Sequence, residues 1–188
     1  MRDELVKIST ELKVHHAPVG ALAQHGFVGK YFDPEAVKST PVLQQAAQGK
    51  KHLLVLPQKA DFRTLLEGRR DYIGKPELVE RAGNAAYQSS RRHELTHYLR
   101  QKKGKMARYG KPGVRGLLST GREEAIAYSK GLSPLKRISE KSYVEGMKGV
   151  IPGTIGSVRQ AYPQGLRAAA MGGRLGGLIR AGKKLIGR

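Results

Sequence analysis

The clearest apolar pattern in the chain is the uninterrupted run Leu53-Leu54-Val55-Leu56, held between Lys50-Lys51 and Pro57. Its length and flanks fit a buried strand of about five residues. Helical spacing appears elsewhere. Leu5, Ile8 and Leu12 predict an amphipathic helix over residues 3–14, and residues 42–47, 61–67 and 77–83 each predict a short helix, with Asp61 capping the second of these. Residues 15–41 are punctuated by Pro18, Gly20, Gly26, Gly29, Pro34 and Pro41 and read as loop.

A further helix begins at Asn84 or at Ser89-Ser90 and closes at Gly104, after a last turn carrying Arg100, Lys102 and Lys103 that complements the helix dipole. Leu95 and Leu99 are expected to give it a buried side. A Gly- and Lys-rich connection over 104–121 leads to a last helix at 122–130, ended by Gly131 and Pro134. Several helices beside a short sheet predict an α+β fold.

Composition changes beyond about residue 142, where glycines multiply and acids vanish after Glu145. The expected organisation is therefore a domain over 1–141 and a basic C-terminal arm over 142–188. In the arm, Leu175, Leu178, Ile179, Leu185 and Ile186 fall at helical spacing, with Arg180, Lys184 and Arg188 four residues apart on another face. Together with Arg174 and Lys183 they predict a cationic amphipathic helix suited to an anionic membrane surface, to nucleic-acid phosphates or to a partner in a larger assembly.

The arm belongs to a strongly basic chain. It has 35 Lys and Arg against 15 acids, a formal charge of +20. Residues 91–122 hold ten basic residues and one acid, Glu94. Such an excess concerns partners and solubility rather than fold. The mixed charges at the N-terminus lack the pattern of a secretory signal, and no stretch has the roughly 18 apolar residues of a membrane span. The expectation is a soluble protein, cytoplasmic or packaged in a phage particle.

The absence of cysteine removes disulfides, thiolate ligands and a cysteine nucleophile, leaving histidine and carboxylate as the strong ligands for a transition metal. Against that background His93-Glu94-Leu95-Thr96-His97 stands out. On a helix, residues four apart share a face one turn apart, so both imidazoles can reach one ion. Glu94 follows the first ligand, where a carboxylate can take a proton from an attacking water and pass it to a leaving amine. A catalytic zinc site needs a third protein ligand. His97 is the last histidine in the chain, so the downstream carboxylates Glu123 and Glu124 remain.

The segment Glu123-Glu124-Ala125-Ile126-Ala127-Tyr128 resembles the ligand helix of the glutamate zincins, and His-Glu-Leu-Thr-His is the motif text of thermolysin-like enzymes in that family. The resemblance covers roughly residues 53–130. It implies a peptidase that hydrolyses peptide bonds with a zinc-activated water, with Glu124 as the third ligand. It also implies that the strand near Leu53–Leu56 lines the cleft and pairs with an extended substrate, a reading that stands beside that of an ordinary core strand. Tyr128 stands where many members carry aspartate.

Helix geometry puts Glu123 about 100° from Glu124, so only one of them can face the metal. Ala127 favours Glu124, because a small side chain one turn beyond it permits close packing on the metal helix. Tyr128, Tyr109 and Arg122 are the candidate oxyanion donors. His15, His16, His25 and His52 read as solvated or structural. The expected function is a small zinc peptidase acting on a peptide or protein and tethered by its basic arm. The alternative is a non-catalytic component of a phage particle, associated with DNA or membrane and carrying a vestigial site.

Overall fold

The computed structural model describes residues 10–24, 29–67, 69–111, 113–138 and 154–159. Its elements are β1 (Leu12–Ala17), α1 (Val19–Gln24), β2 (Lys30–Phe32), α2 (Pro34–Ser39), α3 (Pro41–Ala47), β3 (His52–Pro57), α4 (Lys59–Glu67), a 3-10 turn (Arg70–Tyr72), α5 (Pro76–Lys102), α6 (Val114–Gly131) and a second 3-10 turn (Leu135–Arg137). The fold is α+β, with a three-stranded mixed sheet in the order β1-β3-β2.

The apolar run of β3 is the middle of that sheet, and its period-two alternation feeds two cores. Leu53 and Val55 pack with Leu22 of α1, Val37 of α2 and Ala47 of α3. Leu54 and Leu56 pack on the other face with Leu12 and with Tyr98 of α5. Leu53, Leu54 and Leu56 are essentially inaccessible to solvent. Each contributes about 1.5–3 kcal/mol relative to an exposed position, which is why a continuous apolar run settles between two helical layers.

β3 pairs in parallel with β1, Leu12 opposite His52 through Ala17 opposite Pro57, and antiparallel with β2, Lys30 opposite Val55 through Phe32 opposite Leu53. Paired on both sides, the Leu53–Val55 stretch is an ordinary core strand and is not open to a substrate. The edge that borders the histidine motif is β2.

Several sequence expectations are corrected by this packing. Leu12 and Val14 lie in β1, not in a helix, because pairing with the buried β3 outweighs a helical spacing that rested on three residues. Thr10 and Glu11, just before the strand, are helical, and residues 3–9 lie outside the described ones. The stretch read as loop holds β1, α1, β2 and α2. α2 is capped by Asp33, whose Oδ1 accepts from the Ala36 amide at 2.8 Å, a cap that contributes about 1 kcal/mol. Asp61 sits two residues inside α4. From there its Oδ2 accepts the amides of Gln58 and Val19, both at 3.0 Å, and so ties the start of α4 to α1.

The two helices expected at 77–83 and beyond Asn84 are one continuous α5 of 27 residues. Gly83 does not end it. A Cβ there would lie 2.9 Å from Arg63 Cγ and 3.4 Å from the Arg63 backbone nitrogen, so the glycine admits α4 against α5. Asn84 donates to Glu80 Oε1, one turn back, rather than capping. α6 likewise starts at Val114 rather than at 122, with Thr120 fully buried and accepting the Gly110 amide at 2.9 Å.

Segment 154–159 is helical and touches α6, where Tyr128 Oη and Ser157 Oγ are 3.5 Å apart. The remainder of the arm, including Arg174, Arg180, Lys183, Lys184 and Arg188, lies outside the described residues. Among the described residues no helix is long and apolar enough to cross a membrane.

Candidate metal centre

α5 and α6 bring His93, His97 and Glu124 together, with one donor atom from each lying within 4.8 Å of the others. Close helix contact makes this reach available. Ala127, one turn beyond Glu124, is fully buried, and a Cβ on Gly131 would lie 3.0 Å from the Ser89 carbonyl and 3.4 Å from His93 Cβ. Enlarging Ala127 to Leu should therefore push the helices apart. We expect a loss of about 1–3 kcal/mol from overpacking, measured by denaturant unfolding, together with weaker metal uptake.

The spacing within the cluster bears on what it can hold. His93 Nε2 and His97 Nε2 are 3.2 Å apart, His97 Nε2 is 3.4 Å from Glu124 Oε1, and His93 Nε2 is 3.5 Å from Glu124 Oε2. A charge-assisted hydrogen bond would draw imidazole and carboxylate to about 2.7–2.9 Å. Ligands bonded to zinc at about 2.0–2.1 Å in a tetrahedron stand about 3.3–3.4 Å apart. The separations are close to that value, with the two histidines facing different oxygens of Glu124 and their Nε2 atoms within hydrogen-bond distance of each other; two nitrogens plus one carboxylate is a catalytic zinc donor set.

Charges within the cluster are strongly coupled. Burial pushes His97 down to about 4 despite the Glu124 carboxylate, so its ring is neutral and free to ligate. Burial also opposes a charge on His93, but the hydrogen bond and charge of Glu124 and the charge of Glu94 outweigh it and raise this histidine above its ordinary value. On Glu124 burial is in turn outweighed by His93, His97 and the Tyr109 hydroxyl, which hold the carboxyl down to about 2.

Glu94 is buried beside the cluster, its Oε1 3.8 Å from His93 Nε2 and its Oε2 accepting the Tyr31 amide at 2.8 Å. Burial, with the neighbouring Glu124 charge adding to it and His93 opposing, pushes Glu94 up to about 7. A carboxylate poised near neutrality with one oxygen held by backbone and the other facing the cluster has the properties of a general base.

Glu123 is occupied elsewhere. Arg100 donates to both of its oxygens, one through Nη2 at 2.7 Å and the other through Nε. The choice between the two glutamates therefore falls on Glu124. Of the candidate oxyanion donors, Tyr109 donates to Glu124 Oε1 and its ring lies 5.5 Å from that of His97. The Tyr128 ring lies 4.3 Å from that of His93, edge to face. Arg122 is exposed, two residues before Glu124 and so about 200° round the helix, and does not belong to the site.

Residues that a sequence reading missed are Tyr31, through its backbone amide, and Arg100. Only Arg100 left a signal, as a cation one turn past His97 facing a spare glutamate. The Nδ1 atoms of both histidines are buried and without a hydrogen-bond partner among the described residues. Ligating histidines ordinarily donate that hydrogen to a carboxylate or carbonyl. Here the rings of Tyr128 and Tyr109 pack against the imidazoles of His93 and His97 instead.

Of the other histidines, His15 is exposed, His25 lies outside the described residues, and His16 and His52 pair with tyrosines. His52 is buried with Nδ1 at 2.7 Å from Tyr31 Oη, and His16 Nε2 is 2.9 Å from Tyr87 Oη. Of the two leucines expected on the buried side of α5, Leu95 is partly buried and packs against the Leu54–Leu56 core, whereas the expectation for Leu99 is corrected. The buried positions there are Glu94, His97 and Tyr98, while Leu99 is exposed. Comparison with protein-family models, with curated proteins and with solved structures gives no match.

Proposed function

We propose that the protein is a zinc metallopeptidase of the glutamate-zincin type, with His93, His97 and Glu124 as the metal ligands and Glu94 as the general base. The observation that carries this reading is the convergence of His93, His97 and Glu124 on one point, with one donor atom from each within 4.8 Å of the others. When bound, zinc supplies a water acidified to near neutrality and a polarised substrate carbonyl. Glu94 accepts the proton of the attacking water on its free oxygen and returns it to the leaving amine, while the Tyr31 amide keeps the carboxylate aimed at the cluster. Tyr109 orients Glu124, and the two tyrosine rings hold the imidazoles.

An extended substrate would have to approach along β2, since β3 is paired on both sides. The reading is tested by comparing zinc content and proteolysis in the wild type and in Glu94→Gln. A catalytic site loses the second while keeping the first, whereas a structural or vestigial site is indifferent to the change.

The tethering role proposed for the basic arm rests on its sequence pattern. Deleting residues 165–188 should weaken binding to anionic vesicles or to duplex DNA, with a shallower salt dependence. Unchanged binding to both would remove the tether.

A further inference from the structure

On the side of the α5–α6 pair marked by Leu99 and Lys130 an open groove of about 630 Å³ runs between the helices. Leu95 and Leu99 of α5 and Ile126 of α6 form its floor. Leu99 is 39% exposed. Arg92 and Lys103 border the groove from α5 and its end, Lys130 from α6, and Lys105 closes it from the connection. No acidic residue lines it. Arg100 also reaches the groove, but Glu123 neutralises it. Among the described residues no carboxylate pairs with Arg92, Lys103, Lys105 or Lys130; Arg92 donates to the Ser133 hydroxyl instead. The basic run at 91–122 thus has a spatial meaning, since part of it gathers around an apolar strip.

We infer that this groove is a docking site for an acidic amphipathic peptide segment, bound as a helix with its apolar residues on Leu95, Leu99 and Ile126 and its carboxylates against the surrounding cations. From Arg92 to Lys103 the groove follows α5 for about 16 Å, three helical turns, which matches apolar anchors at i, i+3 or i+4, and i+7. The floor distinguishes this occupant from nucleic acid, whose phosphates gain nothing from exposed leucine. The openness of the groove distinguishes it from an acyl chain, which requires enclosure. Docking here uses no residue of the metal cluster and holds whether or not the protein is a peptidase.

The test is fluorescence anisotropy on the full chain at two salt concentrations. The probe is a labelled peptide of about 14 residues with leucines at helical spacing among glutamates. The control has equal charge but serine in place of leucine. The expected result is that the leucine peptide binds at least about tenfold more tightly than the control. Lys105→Glu/Lys130→Glu should weaken it at least about tenfold, and Leu99→Gln should remove the preference for leucine, with circular dichroism unchanged. Equal binding of the two peptides, or indifference to both variants, would overturn the proposal. So would duplex DNA or an anionic vesicle that depends on Lys105, Lys130 and Leu99 more than the peptide does.

Discussion

Replacing Glu94 with Gln should leave the zinc content of the protein unchanged and lower its peptide hydrolysis by about 10²–10⁴-fold, the usual contribution of a positioned general base. The expectation follows from where the carboxylate sits. Its Oε2 accepts the Tyr31 amide and its Oε1 is 3.8 Å from His93 Nε2, beside the three converging donors but outside them. Glutamine retains the volume and an oxygen for the Tyr31 amide, so the local packing should survive. What it lacks is basicity. Zinc by plasma mass spectrometry and hydrolysis of an unfolded protein such as casein, measured on the same preparations, separate the outcomes. Full proteolysis in the variant would remove Glu94 from the mechanism, and loss of zinc with loss of activity would make it part of the metal shell.

The pH behaviour should carry the same signature. Burial pushes the Glu94 carboxyl up to about 7, so the base form that catalysis needs is depleted as pH falls through that value. Any bound cation acts in the opposite direction and moves the acid limb lower. In Glu94→Gln the limb that belongs to this carboxylate should be missing from whatever activity remains.

The parts legible in the sequence were those governed by short-range spacing. Two histidines four apart on a helix, a glutamate between them and a small residue one turn beyond Glu124 are read from periodicity alone. So was the central strand, because a continuous apolar run can be satisfied only by burial on both faces. The unread parts depend on long-range contacts. Gly83 looked like a helix end until Arg63 was seen to pack on it. Leu12 looked helical until β3 was seen to pair with its strand. The Tyr31 amide on Glu94 joins residues 63 apart, and a backbone donor leaves no trace in side-chain identity. The choice between adjacent glutamates was half legible, since Ala127 pointed to Glu124 but the partner that occupies Glu123 required the fold.

That choice gives the second large prediction, because the two neighbouring glutamates should fail in opposite ways. Glu124→Ala and His97→Ala should each lower zinc affinity by more than about 100-fold, beyond the 10–100-fold typical of losing a residue that merely supports a ligand. Wild-type protein should take up about one zinc per chain, the stoichiometry of a single shared site, and gain about 2.7 kcal/mol at a hundredfold excess over Kd. For a chain of this size that is roughly 5–10 °C in Tm; both variants should melt at the same temperature with and without zinc.

Glu123→Ala should instead keep its zinc. Its loss leaves the Arg100 guanidinium, which is largely buried, without its paired carboxylate. The penalty should be on the order of 2 kcal/mol, between the small value of exposed pairs and the 3–5 kcal/mol of fully buried ones. A double variant Arg100→Leu/Glu123→Leu should recover much of that stability, because replacing both members removes the stranded charge. If zinc departs with Glu123 and stays with Glu124, the ligand assignment is reversed. If neither substitution affects it, the metal lies elsewhere and the convergence of the three side chains needs another cause.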